Sequence, residues 1–376
     1  MKFNYNLPAS LMFGRGRAAE VGEVAARYGK RALVVTGGNS AKKSGLLDRT
    51  VEYLSKASVE SVIFDKVKQN PLTTTAKEGA DFAKENKCDV VVALGGGSIM
   101  DCAKAIAFLS VNEGDINDYI YARLTSDKAL PLVLVPTTCG TGSEGNGFAV
   151  LTNPENGDKK SLRSNAVIAK ASIIDPDLMK TMPKHILSSV AFDALCHSME
   201  AYVSKISQPL TDYMCVAAIE LIGKNLAEVY SGSMEDEMWD SITWASTLGG
   251  MVINTAGVAL PHGMEHPASG LKDIVHGRGL AALTPVITDA SIDGSPEKYA
   301  VISRLLGGKE HVGCGDTIRG LLEKIDLNIT LSQQGIETKD IPWMSENCFR
   351  VSAASIANHP VSFTQEQIAK LYEKAM

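Results

Sequence analysis

The sequence predicts two units of different class: an α/β domain built on a parallel sheet with helices on both faces, then an all-helical domain. Three observations carry this. Short β-branched runs alternate with helical stretches through the first half, and strand-like runs almost vanish beyond position 183. In addition, 376 residues exceed what one core usually holds, which suggests about two domains.

In chain order, RALVVTGG (31–38) is a short apolar run ending in glycines, followed by the helical pattern of SGLLDRTVEYLSKA (44–57). SVIFDKV (61–67) is the next strand candidate, and TTTAKEGADFAKENK (73–87) is helical. DVVVALGGG (89–97) reads as strand and glycine turn, SIMDCAKAIAFLS (98–110) as helix, and PLVLVPTT (131–138) as a further buried strand. Such alternation points to a parallel sheet covered on both faces. Its ligand belongs at the carboxyl ends of the strands. From PKHILSSVAFDALCHSMEAYVS (183–204) onward the patterns are long and helical, as in 211–231, 238–256 and 315–325. The expected units are therefore 1–182 and 183–376, without an internal repeat or a low-complexity linker.

Composition narrows the function classes. With 45% hydrophobic and 21% charged residues, the chain is globular and not disordered. A net charge of −6 and the lack of any basic run argue against a nucleic-acid partner. Seven dispersed cysteines without a CxxC pair suit reduced thiols in the cytosol. No secretory h-region opens the chain, and no apolar stretch approaches the roughly 20 residues of a bilayer span. A soluble, cytoplasmic protein is expected, with no membrane partner.

Two glycine-rich turns follow strands. In LGGGSIMDCAKA (94–105) the glycines allow close backbone approach, and the helix start that follows favours an anion. Ser98 with Asp101 three residues later also resembles a capping box. The GxGxxG fingerprint is absent. VPTTCGTGSEGNG (135–147) offers hydroxyls and backbone donors with little bulk. The second reads equally as a polar loop; together, facing one crevice, the two favour a nucleotide.

FDALCHSMEAY (192–202) places Asp193 and His197 four residues apart, stacked on one helix face. Alone that is an ordinary polar pair. Downstream, ALPHGMEHPASGLKDIVHGRGLAAL (259–283) holds three of the seven histidines, His262, His266 and His276. One carboxylate with two or three imidazoles is an N/O donor set that suits Zn²⁺ or Fe²⁺. Cys196 adjoins His197 but points about 100° away on a helix.

Taken together, GGGSIMDCAKA, PTTCGTGSE, FDALCHSMEAY, and HGMEHP with the later His276–Gly277, resemble the iron-containing (group III) alcohol dehydrogenases over essentially the whole chain. The resemblance implies the dehydroquinate synthase-like superfold: a Rossmann-like NAD(P)-binding domain, a helical metal-binding domain, and a cleft between them. It implies Asp193, His197, His262 and His276 as metal ligands, holding Fe²⁺ or another divalent ion such as Zn²⁺. His266 falls at the family's proton-relay position near the nicotinamide. Gly96, Gly97, Ser98 and Asp101 match the pyrophosphate and nicotinamide loop, Thr137, Thr138 and Thr141 the second cofactor loop, and Asn70 and Lys159 further cofactor contacts. Gly37, Gly38, Asn39 and Ser40 follow the first strand, where many NAD-dependent members carry an acidic residue on the ribose 2′-OH. Gly37 stands in its place and leaves room for a 2′-phosphate, with Lys42 or Lys43 to supply charge. NADP(H) is therefore expected in preference to NAD(H).

The implied activity is reversible hydride transfer between a primary alcohol or diol and NAD(P). Phe148 and His359 are expected near the substrate, and a homodimer or higher homo-oligomer is implied. Rival readings are a glycerol dehydrogenase-like or dehydroquinate synthase-like enzyme, which would use three protein ligands, and a non-catalytic nucleotide-binding protein.

Overall fold

The structure is a computed structural model describing residues 2–376. The first half contains β1 (Ser10–Phe13), α1 (Val21–Ala26), β2 (Arg31–Val35), α2 (Ser40–Lys43), α3 (Leu46–Lys56), β3 (Glu60–Phe64), α4 (Thr73–Glu85) and β4 (Val90–Gly95). It continues with α5 (Gly97–Leu109), α6 (Ile116–Ile120), β5 (Leu132–Pro136), β6 (Phe148–Thr152), β7 (Lys159–Arg163) and β8 (Ala171–Ile174).

Six strands form one parallel sheet in the order β1-β8-β5-β4-β2-β3. Its centre explains the unbroken apolar runs. Along β2 and β4, Leu33, Val35, Val91 and Ala93 face α4 and α5, while Ala32, Val34, Val90 and Val92 face α1 and α3. Both faces are covered, so alternation with polar residues disappears. Each such fully buried Val or Leu contributes about 1.5–3 kcal/mol. The strand order reverses between β2 and β4, so a crevice opens beyond their carboxyl ends.

The four strands expected from sequence appear as β2 to β5. Four more went unforeseen: the short edge strand β1, the strand β8 beside it, and the separate antiparallel hairpin β6–β7.

After α7 (Pro176–Met179) the chain is helical: α8 (Lys184–Val203), α9 (Pro209–Ser231), α10 (Asp236–Ala256), α11 (Leu260–Lys272), α12 (His276–Ser291), α13 (Pro296–Leu305), α14 (Cys314–Lys324), α15 (Ile341–Val351), α16 (Ala353–Asn358) and α17 (Gln365–Lys374). Helix α8 is the axis of this half. It is buried on nearly every side beyond its first turn, among α9, α10 and α12. A helix enclosed all round needs no amphipathic stripe, and so can carry ligands to the molecule's centre. Among the described residues, no helix is long and apolar enough to cross a membrane.

Candidate metal centre and cofactor cleft

Four side chains from three helices converge beside the crevice. Asp193 and His197 come from α8, His262 from the first turn of α11, and His276 opens α12. Asp193 Oδ1 lies 3.5 Å from His197 Nε2, 3.3 Å from His262 Nε2 and 3.6 Å from His276 Nε2. Tetrahedral ligands at about 2.1 Å from an ion sit about 3.4 Å apart. Ligand atoms of Asp193, His262 and His276 all fall within 4.8 Å of one another, and His197 joins this set through Asp193.

Protonation makes the case for a cation. Glu200, one further turn along α8, accepts from His262 Nδ1 at 2.6 Å and from the Ala259 N–H at 2.7 Å. Glu265 likewise accepts from His276 Nδ1 and from the Ser269 hydroxyl. With a carboxylate at each Nδ1, each Nε2 is left facing one carboxylate oxygen of Asp193. Asp193 Oδ1 and His262 Nε2 are buried without a hydrogen-bond partner. Positive charge is favoured between them, either as a proton on His262 or as a bound cation. Burial lowers the His262 pKa, but Glu200 and Asp193 more than reverse this and raise it to about 10. Burial also opposes the Asp193 carboxylate, and the imidazoles outweigh it, holding its pKa far below the usual range. The buried carboxylates of this cluster are Asp193, Glu200 and Glu265. The Lys159 ammonium lies 3.7 Å from Glu265, and a divalent ion would balance the remaining charge. The donor set therefore fits a divalent metal.

His266 stands beside this cluster, its ring centroid 5.7 Å from that of His276 and 6.1 Å from that of His262. Burial first, and Lys159 next, keep the imidazole neutral, well below its ordinary pKa. Cys196 points away, toward Thr284 at 3.4 Å.

An elongated cleft of about 870 Å³ runs along the sheet's carboxyl edge to His276. Gly37, Gly38 and Ser40 line it, as do Asn70, Gly96, Gly97, Ser98, Thr137, Thr138 and Thr141. A Cβ on Gly96 would sit 2.8 Å from Thr138 Oγ1, and one on Gly97 2.2 Å from Thr141 Cγ2, so the two loops touch only because these residues are glycine. A Cβ on Gly37 would lie 2.0 Å from the Val67 carbonyl oxygen.

Several expectations need correction. Asn39 is exposed and does not line the cleft. Lys42 and Lys43 lie on the exposed side of α2; Arg49 and Lys68 face the cleft instead. Ser98 and Asp101 form no capping box. Gly96 is the N-cap of α5, and Asp101 accepts from the Ser143 hydroxyl at 2.7 Å and the Val150 N–H at 2.9 Å. Asp101 and Lys159 line a smaller inner pocket of about 130 Å³ rather than the main cleft. His359 lines neither of them. It packs against Leu260 and donates or accepts with Ser291 at 2.7 Å, behind Glu200.

The inner pocket adjoins the metal cluster and is lined in part by Phe148, Val150, Ile253, Val258 and His266. Glu200, Glu265 and Lys104 were missed from sequence. Glu200 had a signal, falling seven residues after Asp193 on the same face. Lys104 is buried, and its ammonium donates to acceptors on Ser143, Asn146 and Phe148 between 2.7 and 3.1 Å. It thereby ties the β5–β6 loop to α5.

The whole chain has counterparts among known proteins. The family described as iron-containing alcohol dehydrogenase matches residues 8–176, and its C-terminal counterpart matches 188–376. The 1,3-propanediol dehydrogenase of Klebsiella pneumoniae is 33% identical over 99% of this chain and 98% of its own length. The NAD-dependent methanol dehydrogenase of Bacillus methanolicus is 29% identical over 99% of this chain and 100% of its own. In structure, an archaeal halo-thermophilic alcohol dehydrogenase from a Red Sea brine pool superposes with a TM-score of 0.95 at 32% identity, covering 100% of this chain and 99% of that one. An iron-containing alcohol dehydrogenase of Thermotoga maritima gives 0.89 at 30% identity, over 100% and 99%. The chain belongs to the iron-containing alcohol dehydrogenase family. It is an NAD(P)-dependent alcohol dehydrogenase, transferring hydride reversibly between an alcohol carbon and the nicotinamide.

Proposed function

We propose that residues 1–182 bind NADP(H) in preference to NAD(H), and that Asp193, His197, His262 and His276, from the 183–376 unit, hold Fe²⁺, with Zn²⁺ as an alternative occupant. The observation that carries the metal reading is the convergence of three imidazole Nε2 atoms within 3.6 Å of one buried carboxylate oxygen. When bound, the ion acts as a Lewis acid toward the substrate oxygen. The protein supplies the rest. Glu200 and Glu265 fix the imidazole tautomers. Gly96, Gly97, Ser98 and the helix start behind them suit a pyrophosphate, Thr137, Thr138 and Thr141 face them, and Asn70 and Lys159 hold the nicotinamide end. Val150, Ile253 and Val258 wall a short substrate away from water. His266, kept neutral, accepts the hydroxyl proton and passes it outward.

The cofactor preference rests on the loop after β2. Residues 36–44 contain no acid to hold a ribose 2′-OH or to repel a 2′-phosphate, and Arg49 and Lys68 line the cleft nearby. The seven cysteines are all unpaired, which supports a reducing, cytoplasmic setting. The outer edge of β1 carries unpaired backbone groups and supports a homodimer through a second copy.

The test uses anaerobically purified protein. Bound metal is measured, and kcat/KM is compared for NADPH and NADH with a panel of short aldehydes. Stoichiometric metal and a preference for NADPH are expected. Preference for NADH overturns the cofactor reading, and a His262→Ala variant with full metal and activity overturns the ligand assignment.

A further inference from the structure

The hairpin β6–β7 turns one face toward the metal and the other into the core. Its register pairs Phe148 with Arg163, Val150 with Ser161 and Thr152 with Lys159. Because side chains alternate across a strand, Lys159, Ser161 and Arg163 share a face. All three line the inner pocket, together with Phe148 and Val150. The intervening residues point the other way: Leu162, Ala149 and Leu151 are buried in the core beneath the sheet, and Lys160 donates to the Val351 carbonyl at 2.7 Å.

The two cations on the pocket face differ in one respect. Lys159 is occupied, donating to Asn70 Oδ1 at 3.0 Å and lying 3.7 Å from Glu265. Arg163 has no such partner. Among the described residues its guanidinium makes no ion pair and no side-chain hydrogen bond; its cation sits 4.9 Å from the centroid of the Phe148 ring, at the pocket mouth. Arg163 is exposed to solvent at the end of β7; partial loss of solvent lowers its pKa, and no carboxylate offsets that. The acids of the pocket are committed elsewhere: Asp101 to Ser143 and Val150, Asp193 to the imidazoles. The Ser161 hydroxyl, two residues nearer the metal, is also without a partner. Strand geometry spaces its Cα about 7 Å from that of Arg163. Between this polar strip and the metal cluster the walls are Val150, Ile253 and Val258, suited to methylenes. Arg163 is absent from the lining of the cofactor cleft, so its charge is on the substrate side.

We propose that Arg163, with Ser161, binds an oxyanion at the far end of the substrate, so that the preferred substrate is a short aldehyde bearing a carboxylate, sulfonate or phosphonate, or the corresponding hydroxy acid. A guanidinium presents a planar fork of donors that matches such a group in two-point contact. The Phe148 ring beneath it holds the fork in place through a cation–π contact. The metal and cofactor would act at one end of the substrate, and Arg163 would fix the other. This rests on the dehydrogenase activity and goes beyond it by assigning the substrate's charge.

The test compares isosteres in the metal-loaded enzyme. Reduction of 4-oxobutanoate is measured against its uncharged methyl ester, with 2-oxoethanesulfonate and phosphonoacetaldehyde to tell the anion types apart and betaine aldehyde as the cationic control. At least a tenfold advantage in kcat/KM is expected for one or more anions over the ester, with betaine aldehyde poorest. In Arg163→Leu that advantage collapses, chiefly through KM of the anion, while bound metal and KM for the cofactor hold. Arg163→Lys restores part of the advantage. Equal or better turnover of the ester than of every anion by the unaltered enzyme would leave the dehydrogenase standing and overturn the anion assignment. An advantage that survives Arg163→Leu would also overturn it.

Discussion

Replacing Glu200 by Gln probes whether the imidazole lone pairs are set by the protein. Glu200 Oε1 faces His262 Nδ1 at 2.6 Å, and Oε2 accepts the Ala259 N–H at 2.7 Å. An amide of the same size has one acceptor oxygen, so one of these two buried donors loses its partner. That costs about 1–3 kcal/mol. The loss falls on the ligand in either case: directly at Nδ1, or through the backbone that starts α11. The neutral amide also withdraws the negative charge that raises His262 basicity. Substitutions of this kind weaken metal binding about 10–100-fold, or roughly 1.4–2.7 kcal/mol. The assay is competition with a chromophoric chelator, comparing dissociation constants of unaltered and Glu200→Gln protein for Zn²⁺. Thermal unfolding of the metal-free proteins is run alongside. A metal affinity within about twofold of the original would refute the reasoning, because His262 would then hold its orientation without the carboxylate.

Two further outcomes follow from packing and from titration. In Gly250→Ala the new Cβ would lie 1.8 Å from the Gly142 carbonyl oxygen. Backbone cannot swing aside as a side chain does, so a loss near or above the about 1–3 kcal/mol of ordinary overpacking is expected. A lower unfolding midpoint and a raised cofactor KM should appear together; neither changing would contradict the contact. His359 is held to a pKa of about 4 by burial, with Glu200 pulling it upward and Lys205 downward, against 6.5 for the ordinary group. The unfolded chain therefore binds the extra proton between those values, and stability falls as pH drops from 6.5 to 4. The group accounts for about 3 kcal/mol of that fall. His359→Gln should flatten this limb in urea titrations by about that amount, and an unchanged slope would count against it.

The sheet was legible because burial on both faces leaves an unmistakable signature, as in VVVALG of β4. The hairpin β6–β7 was not: Lys159, Ser161 and Arg163 face a polar pocket, so its alternation resembles an ordinary surface loop. The convergence of the proposed ligands was legible because Asp193 and His197 obey helical spacing and three histidines crowd one later stretch. Cofactor charge was misplaced onto Lys42 and Lys43, since proximity in sequence to Gly37 says nothing of which side of α2 meets the cleft. Arg49 and Lys68 reach it only through the fold. Glu144 illustrates the same limit. Nothing in GTGSEGNG marks that glutamate as buried, yet burial pushes its pKa upward while Thr247 donates to it at 2.8 Å.

The proposed catalytic arrangement draws on both the sheet and the helices that follow it, and this determines what must be rigid. The proposed cofactor loops belong to the sheet; the proposed metal ligands belong entirely to α8, α11 and α12. Hydride transfer requires the reacting atoms to approach within about 3–3.5 Å, so small errors at the junction would be costly. The junction is built without compressible side chains. A Cβ on Gly140 would lie 2.7 Å from the Val190 carbonyl oxygen, one on Gly142 2.4 Å from the Gly250 nitrogen, and one on Gly270 2.1 Å from the Gly157 oxygen. Backbone therefore rests on backbone at three places around the cleft, with no flexible chain to absorb relative movement. Polar ties reinforce it: Asn70 donates to Asp273 Oδ1 at 2.7 Å and accepts from Lys159, which in turn approaches Glu265 behind His276. Asn70 has φ of +47°, a left-handed conformation that asparagine tolerates better than most residues. A chain of contacts thus runs from the loop after β3 to α11, which carries the proposed ligand His262.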